Sequence, residues 1–235
     1  MTTLLGFDTT AAHCAAVLVS GDGDTLRLVA ARGEAMTKGQ AERLFPMVEE
    51  LLAEAGTAWS DLSAIACGIG PGNFTGVRVG VSAARGLALS LGVPAFGVST
   101  FEVMLREGGG AGRHVLVSLP APKGRAVVQP FDGGSPVGEA RMIDVEDPPR
   151  DLQAPTGMTV LGHEAETIAR GYEADAMQRP APTLGAEDWE NPAWAIASIA
   201  HARLARGDVP DRPIPLYVRP PDAAPPKAMP PPIVP

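Results

Sequence analysis

Residues 68–80 read Gly-Ile-Gly-Pro-Gly-Asn-Phe-Thr-Gly-Val-Arg-Val-Gly, and five of these thirteen residues are glycine. They follow a short apolar run, Ala64-Ile65-Ala66-Cys67, and precede a helical pattern of small residues over 77–91. A strand, a glycine-rich turn and a helix start, in this order, are the usual construction of a phosphate-binding loop, because main-chain N–H groups at a helix N-terminus can approach an anion closely. The stretch therefore predicts an α/β fold with a candidate phosphate loop.

Neither of the two best-known phosphate signatures fits this loop. A Walker loop requires Gly-Lys followed by Ser or Thr, and no lysine lies near the run from Gly70 to Gly76. The dinucleotide pattern fails at Asn73, where its third glycine belongs. The alternative is a glycine turn that only lets a helix pack tightly on a sheet, and the residues by themselves leave both interpretations open.

The segments around the loop indicate how the N-terminal half folds. Connections between the first three strand-like segments are short, which predicts an antiparallel meander. Strands that then alternate with helices indicate parallel crossovers. The resulting order β-β-β-α-β-α-β is that of ribonuclease-H-like and actin-like nucleotide-binding lobes. The segments are strands 3–7, 15–20 and 25–31, helix 40–54, strand 64–67, helix 77–91 and strand 95–98.

Asp8 ends the first predicted strand and, in this order of elements, faces the glycine turn. A carboxylate beside a phosphate loop commonly orients a metal or a water molecule. The alternative is an Asx-type cap of the turn that follows it. The four histidines form no metal-binding motif and no Gly-x-Ser-x-Gly nucleophile motif occurs, so the sequence predicts no catalytic and no metal-binding constellation.

The glycine tract 108–112 is the best candidate for a domain boundary. We expect an N-terminal lobe over 1–107 and a reduced C-terminal lobe over 108–210. The second lobe would include a helix over 192–205, which has Asn191 as its N-cap. The proline-rich stretch 211–235 is expected to be a surface-draped or disordered tail.

Composition narrows the classes of function. A formal net charge of −8 and an isoelectric point near 5.0 disfavour sequence-independent nucleic-acid binding by this chain alone. Cys14 and Cys67 lie in apolar runs without CxxC spacing, which predicts buried reduced thiols. The sequence shows no signal-peptide pattern and no apolar window long enough to cross a membrane, which predicts a cytoplasmic protein.

Four blocks of the chain resemble the TsaB (YeaZ) family, in that family's order and spacing, over residues 1 to about 105. The resemblance implies an actin-like (ASKHA) fold of two lobes and a role in making threonylcarbamoyladenosine at position 37 of tRNA. Residues 216–219, Leu-Tyr-Val-Arg, add weaker support because they resemble the family's C-terminal element. The four blocks are 5–10, 42–48, 70–80 and 97–100.

TsaB proteins are similar to TsaD, the subunit that transfers the threonylcarbamoyl group. TsaD-like proteins carry metal-binding histidines after the fifth strand, and the corresponding stretch 99–104 has none. The resemblance therefore implies a non-catalytic scaffold that dimerises with TsaD, helps to recruit the ATPase TsaE, meets tRNA only through the complex and can form a homodimer when alone. It also implies that this chain binds no cofactor tightly. ADP or ATP could bind at the subunit junction of the complex. The vestigial nucleotide loop would comprise Asp8, Gly70, Pro71, Gly72, Asn73, Thr75 and Gly76.

Helices 40–54 and 77–91 are expected to form the face that binds TsaD. Small residues on the second helix let a partner helix approach closely, and Arg78 and Arg85 lie on one side as polar anchors. The alternative is that this small-residue face packs on the chain's own sheet. The predicted interface residues are Gln40, Arg43, Leu44, Met47, Arg78, Gly80, Val81, Ala84 and Arg85.

Two departures from the family and three rival functions accompany the resemblance. Gln40 stands where many relatives have histidine, and 119–125 replaces an Asp-Ala-Arg segment. The first rival is an ATP-binding phosphotransferase or ATPase that uses Asp8 and the 68–80 loop. The second is a peptidase, which the sequence disfavours because it contains no nucleophile or metal motif. The third is a homodimeric module unrelated to tRNA.

Overall fold

The structure of the chain is a computed structural model. It describes residues 2–23, 25–108, 114–152, 157–179 and 190–218, without the side chains of 190 and 191. The elements group around two β-sheets, and α3 (Thr100–Glu107) lies between them.

The first sheet has the strand order β3-β2-β1-β4-β5, in which β1, β2 and β3 are antiparallel and β4 and β5 run parallel to β1. The predicted order β-β-β-α-β-α-β is confirmed, with one added 3-10 turn at Trp59–Asp61 before β4. The elements are β1 (Thr2–Asp8), β2 (His13–Asp22), β3 (Thr25–Ala35), α1 (Gln40–Ala55), β4 (Ala64–Gly68), α2 (Phe74–Leu91) and β5 (Ala95–Val98).

Helices α1 and α2 cover one face of this sheet and form a shared apolar core with it. Helix α2 begins three residues earlier than predicted, because the side chain of Asn73 caps its first turn. Both helices end at glycines in the left-handed region, Gly56 at φ 62° and Gly92 at φ 69°. A side chain would be strained there, which explains why each helix stops where its glycine stands.

The second sheet has the order β11-β10-β6-β7-β8, and β9 pairs with β7. Helix α3 covers one of its faces and α4 the other. The elements that follow α3 along the chain are β6 (His114–Ala121), β7 (Arg125–Asp132), β8 (Ser135–Pro136), β9 (Arg141–Asp144), β10 (Thr159–Gly162), α4 (Ala165–Arg170), β11 (Asp175–Gln178) and α5 (Glu190–Ala205).

Helix α5 belongs to the first sheet. The prediction that this helix is part of a C-terminal lobe over 108–210 is therefore wrong. It covers the face of the first sheet opposite α1 and α2, where it packs with β1, β2 and β4. The approach is close, because a Cβ at Gly6 of β1 would lie 2.8 Å from the Cβ of Ala197. The N-terminal sheet is therefore completed by a helix from the far end of the chain.

After α5 the described chain returns to the junction of the two sheets. The N–H of Leu216 donates to the carbonyl of Ile69, at 2.8 Å, and the Leu216 side chain packs on the core of the second sheet. We call residues 209–218 the strap, because they contact both halves of the molecule. The prediction for the rest of the tail, 219–235, lies outside the described residues. None of the described helices is long and apolar enough to cross a membrane.

Candidate functional site

Asp8 lies at the end of β1 and is only 5% exposed. Its Oδ1 accepts a hydrogen bond from the N–H of Thr10, and its Oδ2 lies 2.9 Å from Nε2 of the buried His13. Burial alone raises the pKa of Asp8, but the hydrogen bond and charge of His13 and the Thr10 N–H outweigh burial and lower the pKa below its ordinary value. Asp8 thus forms the Asx-type cap that the sequence left as an alternative, and both carboxylate oxygens have a partner.

The glycine turn lies directly on the main chain that follows Asp8. The N–H of Asn73 donates to the carbonyl of Thr10 at 2.6 Å, and the Thr9 hydroxyl donates to the carbonyl of Gly76 at 2.7 Å. A Cβ at Gly72 would overlap the Thr10 carbonyl oxygen, and one at Gly76 would overlap the Thr9 carbonyl oxygen. The turn therefore needs glycine because two stretches of main chain are in contact.

Three N–H groups in the first turn of α2 are engaged by the chain itself. The side-chain oxygen of Asn73 accepts from the N–H groups of Thr75 and Gly76, and the Asn73 carbonyl accepts from Val77. The predicted loop residues do come together, but they form a packed turn and not an open cradle. Among the described residues, no group of three His, Cys, Asp or Glu side chains is placed to hold a metal ion.

The two cysteines are buried and free, as predicted. Burial raises the pKa of Cys14 to about 12, and it raises the pKa of Cys67 as well. A thiol that is buried and protonated is a poor nucleophile. Neither cysteine is therefore suited to act as a nucleophile.

Six of the nine predicted interface residues lie inside the chain and are not available on its surface. Gln40 donates to the carbonyl of Met36, and Gly80 lies against the side chain of Thr9. The other four buried residues belong to the core between the helices and the first sheet: Leu44, Met47, Val81 and Ala84. The small-residue face of α2 therefore packs on the chain's own sheet, which was the alternative interpretation.

The three predicted arginines lie nearer the surface. Arg85 is exposed, and Arg43 is half-buried and bonded to Glu34 and Glu50. The guanidinium of Arg78 lies 3.9 Å above the ring of Phe74. Its Nε donates to the hydroxyl of Tyr217 at 2.8 Å, so Arg78 attaches the strap to α2.

Helices α1 and α2 border an open apolar groove of about 420 Å³. Phe45, at its edge, is 44% exposed. The nine predicted interface residues do not include Ala41, Phe45, Ser82 and Gly86, although each pair is spaced i, i+4 on the solvent side of its helix. The sequence did contain one signal for this groove, which was Phe45, a large aromatic residue among the polar residues of α1. The groove is lined by Ala41, Leu44, Phe45, Val79, Ser82, Ala83, Gly86 and Leu87.

Comparison with known proteins identifies a matching family model and several relatives. A family model described as TsaD, tRNA N6-adenosine threonylcarbamoyltransferase, matches residues 34–121. The tRNA threonylcarbamoyladenosine biosynthesis protein TsaB of Escherichia coli (strain K12) is 41% identical over 101 residues, which cover 43% of this chain and 42% of that protein. The match thus spans less than half the length of that curated relative.

Two further relatives match over most of their length. An uncharacterized protein of Mycobacterium tuberculosis (strain H37Rv) is 30% identical over 197 residues, covering 81% of this chain and 82% of that protein. The solved structure of YeaZ from Pseudomonas aeruginosa superposes with a TM-score of 0.65 at 27% identity, covering 92% of this chain and all of that one.

Proposed function

Because the chain belongs to the TsaB (YeaZ) family, we propose that it is a non-catalytic subunit of the cytoplasmic machinery that makes threonylcarbamoyladenosine at position 37 of tRNA. In this proposal the chain dimerises with a TsaD-type transferase and helps to recruit a TsaE-type ATPase. It meets tRNA only within that complex. The transferase partner carries out the group transfer.

The observation that carries the non-catalytic role is the closed glycine turn. The main chain of Thr9 and Thr10 fills the side of the turn on which Asp8 lies, and Asp8 itself is bound to His13 and Thr10. A phosphate or a metal at this position would have to displace these contacts. We propose that any ADP or ATP binds at the junction with the transferase subunit instead.

We propose that the groove between α1 and α2 is the docking face for the TsaD-type subunit. It is apolar, and Ser82 and Gly86 on α2 leave room for a partner side chain or helix. Small residues flanked by an exposed aromatic such as Phe45 suit a helical partner. A homodimer of the isolated chain would use the same face.

Co-purification tests this docking face most directly. Gly86→Glu puts a charge into the groove, and the added Cβ meets no described atom within 4 Å outside its own helix, so the variant should fold. Capture of the TsaD-type subunit should fall at least tenfold, since an unpaired charge would have to be buried. Ser90→Glu, exposed one turn further along α2, is the matched control and should bind normally.

The biological role has its own test and its own contrary result. Depleting the chain should lower the threonylcarbamoyladenosine content of tRNA, measured by mass spectrometry of nucleosides. Unchanged modification would contradict the proposed function. Micromolar binding of ATP with turnover by the isolated chain, measured by calorimetry and phosphate release, would favour the rival ATPase.

A further inference from the structure

We propose that the strap, residues 209–218, is a clasp that closes the junction between the two sheets and can open while both sheets stay folded. When it is closed, it sets the angle between the sheets and covers Gly70, the first glycine of the turn after β4. This role is separate from docking of a partner subunit, and it can be measured on the isolated chain.

On the first sheet the strap makes contact at two separate points. Pro213 is buried beside β5, where a Cβ at Gly97 would lie 3.4 Å from the Cβ of Pro213. Three residues further on, the N–H of Leu216 donates to the carbonyl of Ile69 at 2.8 Å. A Cβ at Gly70 would lie 3.5 Å from the carbonyl oxygen of Leu216, so the main chain of the strap passes directly over the glycine turn.

The last residues of the strap also contact the second sheet and α2. The side chains of Leu216 and Val218 pack against the core of the second sheet. Between them in the chain, Tyr217 stacks on Phe74 with ring centroids 5.1 Å apart, and its hydroxyl accepts from Arg78. We call Phe74, Arg78 and Tyr217 the tyrosine cluster. Residues 216–218 therefore join the glycine turn, the second sheet and the first turns of α2.

The strap is held less firmly than the elements that it joins. The bond from Leu216 to Ile69 is its one main-chain hydrogen bond to other described residues. The tyrosine cluster lies at the surface, with Tyr217 42% and Phe74 43% exposed, and Ile214 is 67% exposed. A segment with few buried contacts opens at a lower free energy than the whole protein unfolds. The strap should therefore open by itself.

The prolines of the strap favour its return to the closed position. Pro210, Pro213 and Pro215 have no main-chain N–H, so they leave no donor unpaired when the strap lies on the junction. Their rings also restrict the backbone of the open strap, which reduces the entropy that is lost on closing. The strap can thus open and close repeatedly as one unit.

Opening of the clasp removes one of the links between the sheets. Helix α3 packs in the cores of both sheets and keeps them joined when the strap leaves. With the strap open, the sheets can turn relative to each other about α3, and the carbonyl of Ile69 and the outer side of Gly70 become accessible. Closing links α2, which borders the groove, to the second sheet through the tyrosine cluster.

Hydrogen exchange of the Leu216 amide in the native protein tests the opening. In the wild type this amide should exchange faster than the amides of β1, which are freed only by global unfolding. Tyr217→Ala removes the ring and hydroxyl contacts of the cluster and should accelerate exchange at Leu216 roughly tenfold or more, with a smaller change in β1. Phe45→Ala is the matched control, because it removes a similarly exposed ring from α1, and it should leave exchange at Leu216 unchanged.

Two spin labels test whether the clasp sets the angle between the sheets. Nitroxides on Ser90→Cys of α2 and Glu166→Cys of α4 occupy exposed positions, one on each half of the molecule, and the native cysteines are buried. The distance distribution from double electron–electron resonance should be narrow with the strap intact. Adding Tyr217→Ala should broaden the distribution, and adding Phe45→Ala should not.

Three results would overturn the proposal. Equal exchange rates of Leu216 and of the β1 amides in the wild type would show that the strap opens only when the protein unfolds. Equal effects of Tyr217→Ala and Phe45→Ala on Leu216 would show that the tyrosine cluster does not hold the strap. An unchanged distance distribution in Tyr217→Ala, together with faster exchange at Leu216, would show that the strap opens without setting the angle between the sheets.

Discussion

Two strand-to-helix junctions lie side by side in the first sheet and are built on different principles. Between β4 and α2 the chain takes five residues, and its main chain is in contact with the main chain of Thr9 and Thr10. Between β5 and α3 the chain takes one residue, Ser99, and side-chain hydrogen bonds stabilise the junction. There the Ser99 hydroxyl accepts from the N–H of Glu102, whose carboxylate accepts from the N–H of Ser99 and also binds Arg203 of α5.

The difference follows from the position of each strand in the sheet. β4 is flanked by β1, whose end projects into the space beside the turn and leaves no room for side chains there. β5 lies at the edge of the sheet, and its junction contacts the turn after β4 through the N–H of Thr100, which donates to the carbonyl of Gly70. A glycine-rich turn can therefore be required by a neighbouring strand, without any ligand.

The largest expected effect is at the first junction. Gly76→Ala would place a Cβ on the carbonyl oxygen of Thr9, and both partners belong to main chain that cannot move aside easily. We expect a loss of about 3 kcal/mol or more in the free energy of unfolding, measured by urea denaturation. Gly86→Ala on the same helix is the control, and it should be neutral or stabilising by up to about 1 kcal/mol. Equal stability of the two variants would remove the distinction between the junctions.

At the second junction Glu102→Ala should cost about 2 kcal/mol, because it removes the acceptor of the Ser99 N–H and leaves the partly buried Arg203 without its carboxylate. Glu54→Ala, which breaks an exposed pair with Arg32, should cost less than about 1 kcal/mol. Denaturation of both variants in the same buffer checks the ranking. If Glu102→Ala lowers the free energy of unfolding no more than Glu54→Ala does, the side-chain network of Ser99, Glu102 and Arg203 does not stabilise the junction.

The acid sensitivity of Asp8 should distinguish the junctions next. Its pKa in the folded protein lies below the ordinary value of 3.8, so its stabilising contribution is fully present above pH 3.8 and is lost as pH falls through the folded pKa. The wild type should therefore lose more unfolding free energy than Asp8→Asn between pH 5 and the acid limit of folding. Parallel pH profiles of unfolding free energy would contradict this assignment.

The smallest effect is expected from the cap of α2. Asn73→Ala removes the acceptor for the N–H groups of Thr75 and Gly76 and should cost about 1 kcal/mol. Asn73→Asp keeps an acceptor and should be close to neutral, since a carboxylate is favourable at a helix N-terminus. Thermal denaturation of the pair suffices, and a larger loss for Asp than for Ala would argue against a capping role.

The sequence predicted the order of elements in the first sheet because local patterns determine it. Buried strands alternate with helices that have clear stops, such as Gly56 and Gly92. It did not predict where α5 packs, since periodicity identifies a helix but not the sheet that it covers. The partner of Asp8 was within reach of the sequence, because the short turn between β1 and β2 brings His13 close to it.

The two faces of α2 show a further limit of sequence reasoning. Small residues such as Gly80 and Ala84 permit close packing, but the same composition serves an internal and an external partner. The direction depends on which residues face Thr9, a contact between residues about seventy positions apart. The side of α2 that is buried is therefore determined by the assembled sheet and not by the local sequence.

The position of α5 also sets the order in which the chain can fold during synthesis. All five strands of the first sheet have been made by residue 98, but the face that carries Leu4, Val17 and Phe96 is covered by a helix that ends at residue 205. At 5–20 residues per second the ribosome needs roughly 5–20 s to make the intervening chain. During that interval a nascent chain with all its central strands exposes one bare apolar face. We therefore expect the nascent protein to depend on a ribosome-associated chaperone until α5 emerges.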